Sequence, residues 1–455
     1  MGNLEPRTSN LEPAIDIPDR VLVVGLGKTG VSLVKFLAGL GKKVTVTDSK
    51  PADELKASLA QLNGASYVGH FGSHVRDDFL NHEMILVSPG VASDLPLLSE
   101  ARSKGNRIIG EIELASRFIK EPIIAVTGTN GKTTTITLLG HVFTAAFKDV
   151  FVGGNIGNPL IDYVIKGQRA RFVIAEISSF QLETVEQFRP HVAILLNMTE
   201  DHLDRYSSFE EYVFAKWRIF ENQAPEDYAL ITLDLADKAG IKARKLFFSI
   251  KKSVTEGAFL DGNSMVVRLS GQEHRYSRDL SPLVGIHNSE NLLSVLLTSH
   301  IYGIDRTVIE ESLRAFKGLS HRMEFIREKD AIRFYNDSKA TNVDATSKAL
   351  ESMTSKVVLI AGGKDKGGSY RVIADFSGRI KGLVLFGEAK EKIEQELGAH
   401  VSTHVVATLS EAVEKAFNLA GPGDTILFSP MCSSFDMFRD YKDRGDTFRR
   451  IVEAL

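Results

Sequence analysis

Three successive α/β units are the architecture this sequence predicts, and two observations carry that expectation. Short β-branched runs alternate with segments of helical period along the whole chain, the mark of parallel sheets with crossover helices. The 455 residues also exceed what one ordinary core accommodates, and roughly 100 to 200 residues per domain divides them into about three.

The first unit reads RVLVVG (20–25), a helical TGVSLVKFLAGLG, KVTVTD (43–48), a further helix and MILVSPG (84–90). A second begins at EPIIAVTGTNGKTTTITLLGHVFTAAF (121–147) and continues through FVIAEIS (172–178) and VAILLN (192–197). The third holds IRFYND (332–337), KVVLIAGG (356–363), GLVLFG (382–387) and DTILFSP (424–430), again separated by helical patterns. The expected division is a loose tail over 1–19 and domains over 20–110, 111–318 and 319–455. No fixed-period repeat or low-complexity tract interrupts it.

Composition narrows the function. With 43% hydrophobic and 25% charged residues the chain has the make-up of a globular protein. A net charge of -3 provides no basic excess to neutralise a phosphate backbone, so nucleic acid is not an expected partner. Cys432 is the one cysteine, which rules out an internal disulfide or a cysteine zinc cluster and fits a reducing cytosol. The first twenty residues lack the apolar segment of a secretory signal. Runs such as VAILLN fall far short of the ~18 residues of a membrane span. A cytoplasmic monomer without a membrane span is the expectation.

The most informative stretch is the strand IIAVT, the loop Gly128, Thr129, Asn130, Gly131, Lys132, Thr133, Thr134, and the helix that follows. Backbone N–H groups and a helix N-terminus would surround an anion there, as a nucleotide polyphosphate requires. Lys132 would neutralise the β- and γ-phosphates and the Thr133 hydroxyl would ligate Mg²⁺. The general phosphate-loop spacing asks for glycine at 126, where Val126 stands, so this is a shortened variant. A bare glycine turn with a solvated lysine is the plain alternative, and the joint arrival of strand, loop and helix counts against it.

Gly25-Leu26-Gly27-Lys28-Thr29-Gly30 after RVLVV, with Asp48 ending the next strand, meets the dinucleotide fingerprint of a Rossmann-like domain. No clear nicotinamide-side catalytic pair accompanies it, which leaves an NAD-dependent oxidoreductase as the cross-class alternative. Glu176 ends FVIAE beside the loop strand, where a carboxylate can meet Mg²⁺. Asn288 and Asn291 lie one helical turn apart on one face, a pattern a helix cap and its neighbour also produce.

TGTNGKTTT is similar to the loop of the Mur ligases and of folylpolyglutamate synthetase. The folate enzyme opens at its ATPase domain, whereas about one hundred residues of α/β domain precede the loop here, which favours the Mur ligases. GLGKTG, SPGV, GGNIG, EISSFQLE, TEDHLDRY, AKWRIFEN, HNSEN, SHRME, NDSKATN and SPMCSSFD, in that order, resemble the Mur ligase family, in particular its members that add D-glutamate.

The resemblance implies a Rossmann-like N-terminal domain, a central P-loop ATPase-like domain with a parallel or mixed sheet, and a Rossmann-like C-terminal domain. It implies ATP-dependent ligation of D-glutamate to UDP-N-acetylmuramoyl-L-alanine through an acyl phosphate; another Mur ligase or a folylpolyglutamate synthetase-like ligase is the alternative. Thr29 would lie near the pyrophosphate and Asp48 near the uracil, with Gly90, Asn155, Ser178 and Gln181 also on this substrate. Asn288 and Asn291 would hold adenine, Arg322 and Lys339 the phosphates, and Asp337 the ribose. Thr133, Glu176, His202 and Lys216 would serve two Mg²⁺ ions, Lys216 as a carbamate, and His202 is also a candidate base.

Thr341, Lys366 and Ser434 would take the carboxylates of the incoming amino acid. Tyr441 stands near them where the family pattern has phenylalanine. Arg322, Asp337 and Lys339 would have to swing in, so closure of the last domain over the nucleotide is part of the expectation.

Overall fold

The computed structural model describes residues 15–92, 94–167, 169–201, 205–236, 240–283 and 285–455. Three sheets follow one another along the chain. The first has five parallel strands in the spatial order Tyr67–Phe71, Lys43–Asp48, Arg20–Val24, Met84–Val87, Arg107–Gly110. Its central strand is apolar on both faces because helices cover both, as a parallel sheet demands. At the end of that strand Gly25 takes φ +89°, and a Cβ on Gly30 would fall 2.0 Å from the Gly25 carbonyl oxygen. Glycine at both positions lets helix Lys28–Gly39 start directly above the strand end.

The second sheet has nine strands, ordered Gln272–Ser277, Ser264–Leu269, Gly257–Asp261, Arg244–Ser249, Tyr228–Thr232, Val192–Leu195, Ile123–Thr127, Phe172–Glu176, Val150–Gly154. Its pairings are parallel except for the two that join the last three strands in sequence, which form an antiparallel edge. Helices Lys132–Phe147 and His287–Ile301 pack together on one face, around Leu139, Phe143, Leu292 and Leu296. The other face shares one continuous core with the first domain, and Phe36 meets Phe118 edge-on at 5.1 Å.

The third sheet runs Glu324–Lys329, Ile332–Asn336, Thr425–Met431, Val357–Gly362, Ile380–Phe386, Thr403–Val405. The first pair is antiparallel and the rest parallel. The chain is therefore a three-domain α/β protein whose first sheet is parallel and whose other two are mixed.

The expected strands are present, while the five consecutive strands between Tyr228 and Ser277 were not singled out from sequence. Segments such as QEHRYS lie at a half-exposed edge and lack the apolar run by which the interior strands are recognised. Among the described residues no helix is long and apolar enough to cross a membrane.

Candidate active site

The glycine loop leaves the buried strand Ile123–Thr127. Gly128 takes φ +147°, and a Cβ there would come within 3.2 Å of the Asn197 backbone nitrogen. Gly131 takes φ +86°, and a Cβ there would lie 2.3 Å from Asn291 Oδ1. Only glycine fits either position without displacing its neighbour. Gly131 caps the helix without a side-chain hydrogen bond, so the first N–H groups, with Lys132, Thr133 and Thr134 among them, remain available to an anion. Lys132 Nζ donates to the carbonyls of Gly128 at 2.7 Å and Thr129 at 2.8 Å.

Glu176 ends the neighbouring parallel strand and is 2% exposed. One of its oxygens accepts from Thr133 Oγ1 at 2.8 Å and the other from Asn155 Nδ2 at 2.9 Å. The Thr133 hydroxyl and Glu176 carboxylate oxygens, side by side next to the cationic loop, are hard donors of the kind Mg²⁺ takes. Ser178 and Gln181 form the capping box of the short helix Ser179–Leu182, in which Gln181 Oε1 accepts from the Ser178 N–H at 2.9 Å. Asn155 and Ser178 line the same cavity as the glycine loop, whereas Gln181 faces the first domain beside Pro89 and Val91.

Helix Phe209–Trp217 brings Lys216 beneath the loop. Its Nζ donates at 3.0 Å to the Gly128 carbonyl, which also accepts from Lys132, and lies 4.6 Å from the centre of the Tyr212 ring. Burial, reinforced by the charge of Lys132, pushes the Lys216 ammonium well below its ordinary pKa. His202 lies outside the described residues.

Arg322, Asp337 and Lys339 face the loop in this structure, the arrangement that closure of the last domain over the nucleotide would give. Together with Thr341, Lys366, Ser434 and Tyr441 they complete a cavity of about 380 Å³ whose opposite wall is the glycine loop, Asn288 and Asn291. Contacts between the two domains hold it shut. Asn130 Nδ2 donates to Asp344 at 2.5 Å, Thr199 Oγ1 to the same oxygen at 3.2 Å, and Asn342 Nδ2 to Asp201 at 3.1 Å.

Within the cavity, Asn291 Nδ2 donates to Asn288 Oδ1 at 2.9 Å, so the helical spacing does bring the pair together. Asp337 accepts from Ser429 Oγ at 2.9 Å and the Met323 N–H at 3.1 Å, and burial pushes its carboxyl up to about 7. The Lys339 ammonium lies 4.0 Å from the centre of the Tyr441 ring, and burial, then the Arg322 charge, pull it down to about 7. Lys366 Nζ stands 3.8 Å from Asp201.

Arg444 was not singled out from sequence, because an arginine on an amphipathic helix reads as a solvated charge. The structure buries it completely. Its guanidinium donates to Ser338 O at 2.8 Å, Ser338 Oγ at 3.1 Å, Cys432 O at 3.0 Å and Ser433 O at 3.1 Å. It thereby ties the NDSKATN loop to the SPMCSSFD loop, the two segments that carry Asp337, Lys339, Thr341 and Ser434.

Thr29, Asp48 and Gly90 belong to the first domain and do not line this cavity. Thr29 opens the helix above Gly25, and Asp48 accepts from the Leu26 N–H at 2.7 Å and the Lys50 N–H at 2.9 Å. Gly90 sits in a turn held by Arg205, which donates to Pro89 O at 3.0 Å and Val91 O at 2.9 Å and stacks 4.0 Å from the Phe180 ring centre. The Lys28 ammonium crosses from the first domain to the carbonyl of Gly157, just beyond Asn155.

Comparison with known proteins matches three consecutive regions. Residues 19–110 match the Mur ligase MurD-like N-terminal domain, 126–299 the Mur ligase middle domain, and 321–432 the Mur ligase glutamate ligase domain. The UDP-N-acetylmuramoylalanine--D-glutamate ligase of Geotalea daltonii is 49% identical over 441 residues, 96% of this chain and 97% of that protein. The protein of that name from Geobacter metallireducens is 48% identical over 440 residues, again 96% and 97% of the two chains. Among solved structures, UDP-N-acetylmuramate-alanine ligase MurC from Thermotoga maritima superposes with a TM-score of 0.60 at 21% identity, covering 96% of this chain and 99% of that one.

Proposed function

Because this chain belongs to the Mur ligase family, we propose, as the activity of its cavity, the ATP-dependent ligation of D-glutamate to UDP-N-acetylmuramoyl-L-alanine. The identity to relatives named for that reaction supports the substrate pair. The observation that carries the chemistry is the single cavity in which the glycine loop of the central domain faces Lys366, Thr341 and Ser434 of the last one.

The alanyl carboxylate attacks the γ-phosphorus in line, the bond to the ADP oxygen breaks, and an acyl phosphate forms. Lys132 and the loop N–H groups hold the γ-phosphate, and Arg322 and Lys339 neutralise it from the opposite wall. Asn288 and Asn291 hold the adenine, and Asp337 the ribose. Thr133 and Glu176, and in a second position His202 and a carbamate of Lys216, would hold magnesium, which would supply neutralisation of phosphate charge. The D-glutamate amine, deprotonated with His202 as the candidate base, then attacks the acyl carbon and expels phosphate, leaving an amide. Thr341, Lys366 and Ser434 orient its carboxylates, beside the Tyr441 ring. A closed cleft suits this route because it keeps water from the labile acyl phosphate.

Two lysines sharing one buried carbonyl support the carbamate, because burial and the Lys132 charge favour the neutral Lys216 amine. Addition of CO₂ to that amine, with loss of a proton, would give an anion with two oxygen donors. In the first domain, Thr29 would hold the pyrophosphate and Asp48 the uracil, with Gly90, Asn155, Ser178 and Gln181 along the rest of the substrate. The domain limits near 110 and 318, a monomeric state and action in the cytoplasm complete the proposal.

The test is phosphate release by the purified protein with ATP, Mg²⁺ and UDP-N-acetylmuramoyl-L-alanine, offering each amino acid in turn. Release that depends on D-glutamate, with little from L-glutamate or diaminopimelate, is the expected result. Turnover of folate or NAD(H) in its place would overturn the reading.

A further inference from the structure

Asp365 immediately precedes the lysine assigned above to the carboxylates of the incoming amino acid, and a free anion there is a liability. It would draw the Lys366 ammonium to itself and repel a dicarboxylic substrate. The structure engages both of its oxygens elsewhere. Oδ2 accepts from Lys392 Nζ at 2.8 Å, and Oδ1 from Tyr370 OH at 2.7 Å and from the Gly367 N–H at 3.2 Å.

Lys392 projects from helix Lys390–Leu397, which lines no part of the cavity, and also donates to Gly368 O at 2.9 Å. Tyr370 is buried, and its hydroxyl lies 3.2 Å from Cys432 Sγ. Backbone hydrogen bonds between Lys364 and Ser433, at 2.9 and 3.2 Å, join this loop to the one that carries Ser434. The carboxylate of Asp201 stands 3.8 Å from Lys366 and also accepts from Asn342.

We propose that Lys392 is a specificity-determining positioning residue: by neutralising Asp365 and turning it from the cavity, it keeps that carboxylate from competing with a dicarboxylic amino acid for the Lys366 ammonium. The inference rests on the reading of Lys366 given above. Lys392 lines no part of the cavity and acts through Asp365, its only carboxylate partner among the described residues, while its bond to Gly368 O holds the same loop. Its removal therefore unmasks a negative charge next to the subsite, and removal of that charge in turn repairs the defect.

The experiment is steady-state kinetics on Lys392→Met, Lys392→Arg, the double variant Lys392→Met/Asp365→Asn, and Lys366→Met. Lys392→Met is expected to raise KM for D-glutamate about five-fold, less at high salt, with KM for ATP nearly unchanged. The double variant and Lys392→Arg are expected to return KM for D-glutamate close to the parent value. An unchanged KM for D-glutamate in Lys392→Met, or a double variant as impaired as the single one, overturns the proposal. If Lys366→Met raises that KM and Lys392→Met does not, this inference alone fails. If Lys366→Met leaves it unchanged, the reading of the amino-acid subsite fails with it.

Discussion

The side-chain amide of Asn130 donates to the carboxylate of Asp344 at 2.5 Å, joining the glycine loop of the central domain to the first turn of helix Val343–Glu351 in the last domain. Asp344 also pairs with Lys348 within its own helix, at 3.0 Å. One carboxylate of the last domain thus bonds to the glycine loop of the central one. Asp344→Ala removes a charge-assisted contact between the two domains. We expect about a ten-fold loss of kcat/KM for ligation and a larger radius of gyration in solution scattering without substrates. Parent-like scattering and kinetics would show that closure does not depend on this contact.

Lys132→Ala is expected to lower ligation by at least ~10²-fold, since one preorganised charge on a phosphoryl group in transfer is worth several kcal/mol. The Gly128 carbonyl keeps its hydrogen bond from Lys216 in this variant, so the fold should survive. Rapid-quench measurement of acyl phosphate formation checks this, and near-normal turnover would remove the loop from the chemistry.

Lys216→Ala is expected to lose most activity, and acetate or formate to restore part of it by filling the oxygen site a carbamate would occupy. Lys132→Ala supplies the control, because a small carboxylate cannot replace a cation. A folded, ATP-binding Lys216→Ala that stays fully active, or that no small carboxylate revives, would exclude the carbamate.

Lys339, pulled down to about 7 chiefly by burial, predicts a pH dependence of ATP binding. Below that pH the ammonium is already present and binding takes up no proton at this site. Above it the amine is neutral while an adjacent phosphate favours the cation, so binding captures a proton and affinity falls by up to about ten-fold per pH unit. Calorimetry in two buffers of different ionisation enthalpy reads the proton directly. Lys339→Met should abolish the uptake, and equal heats in both buffers above pH 7 would refute the assignment.

The parts of the site that were legible in the sequence are those whose chemistry is local. Gly128 to Thr134 form one uninterrupted segment, and its positive-φ glycines and helix start need only their own neighbours in the chain. Glu176 is 43 positions from Thr133, yet could be placed beside it because the strand that ends in Glu176 was expected next to the loop strand. The Asn288 and Asn291 pair followed from helical spacing in the same way.

By itself the sequence determined the α/β alternation, the three domains, the glycine loop at the head of helix Lys132–Phe147 and, through ordered motifs, the family, all of which rest on short-range pattern and residue type. Only the tertiary structure decided which distant groups share a cavity and in what electrical state. It placed Lys216 under the same carbonyl as Lys132, brought Asp344 against Asn130 across 214 positions, and buried Arg444 against Ser338, 106 positions away. The physical reason is that burial and pairing depend on the packing of whole domains. A lysine or arginine therefore looks alike in sequence whether water, a carboxylate or a buried carbonyl receives its protons.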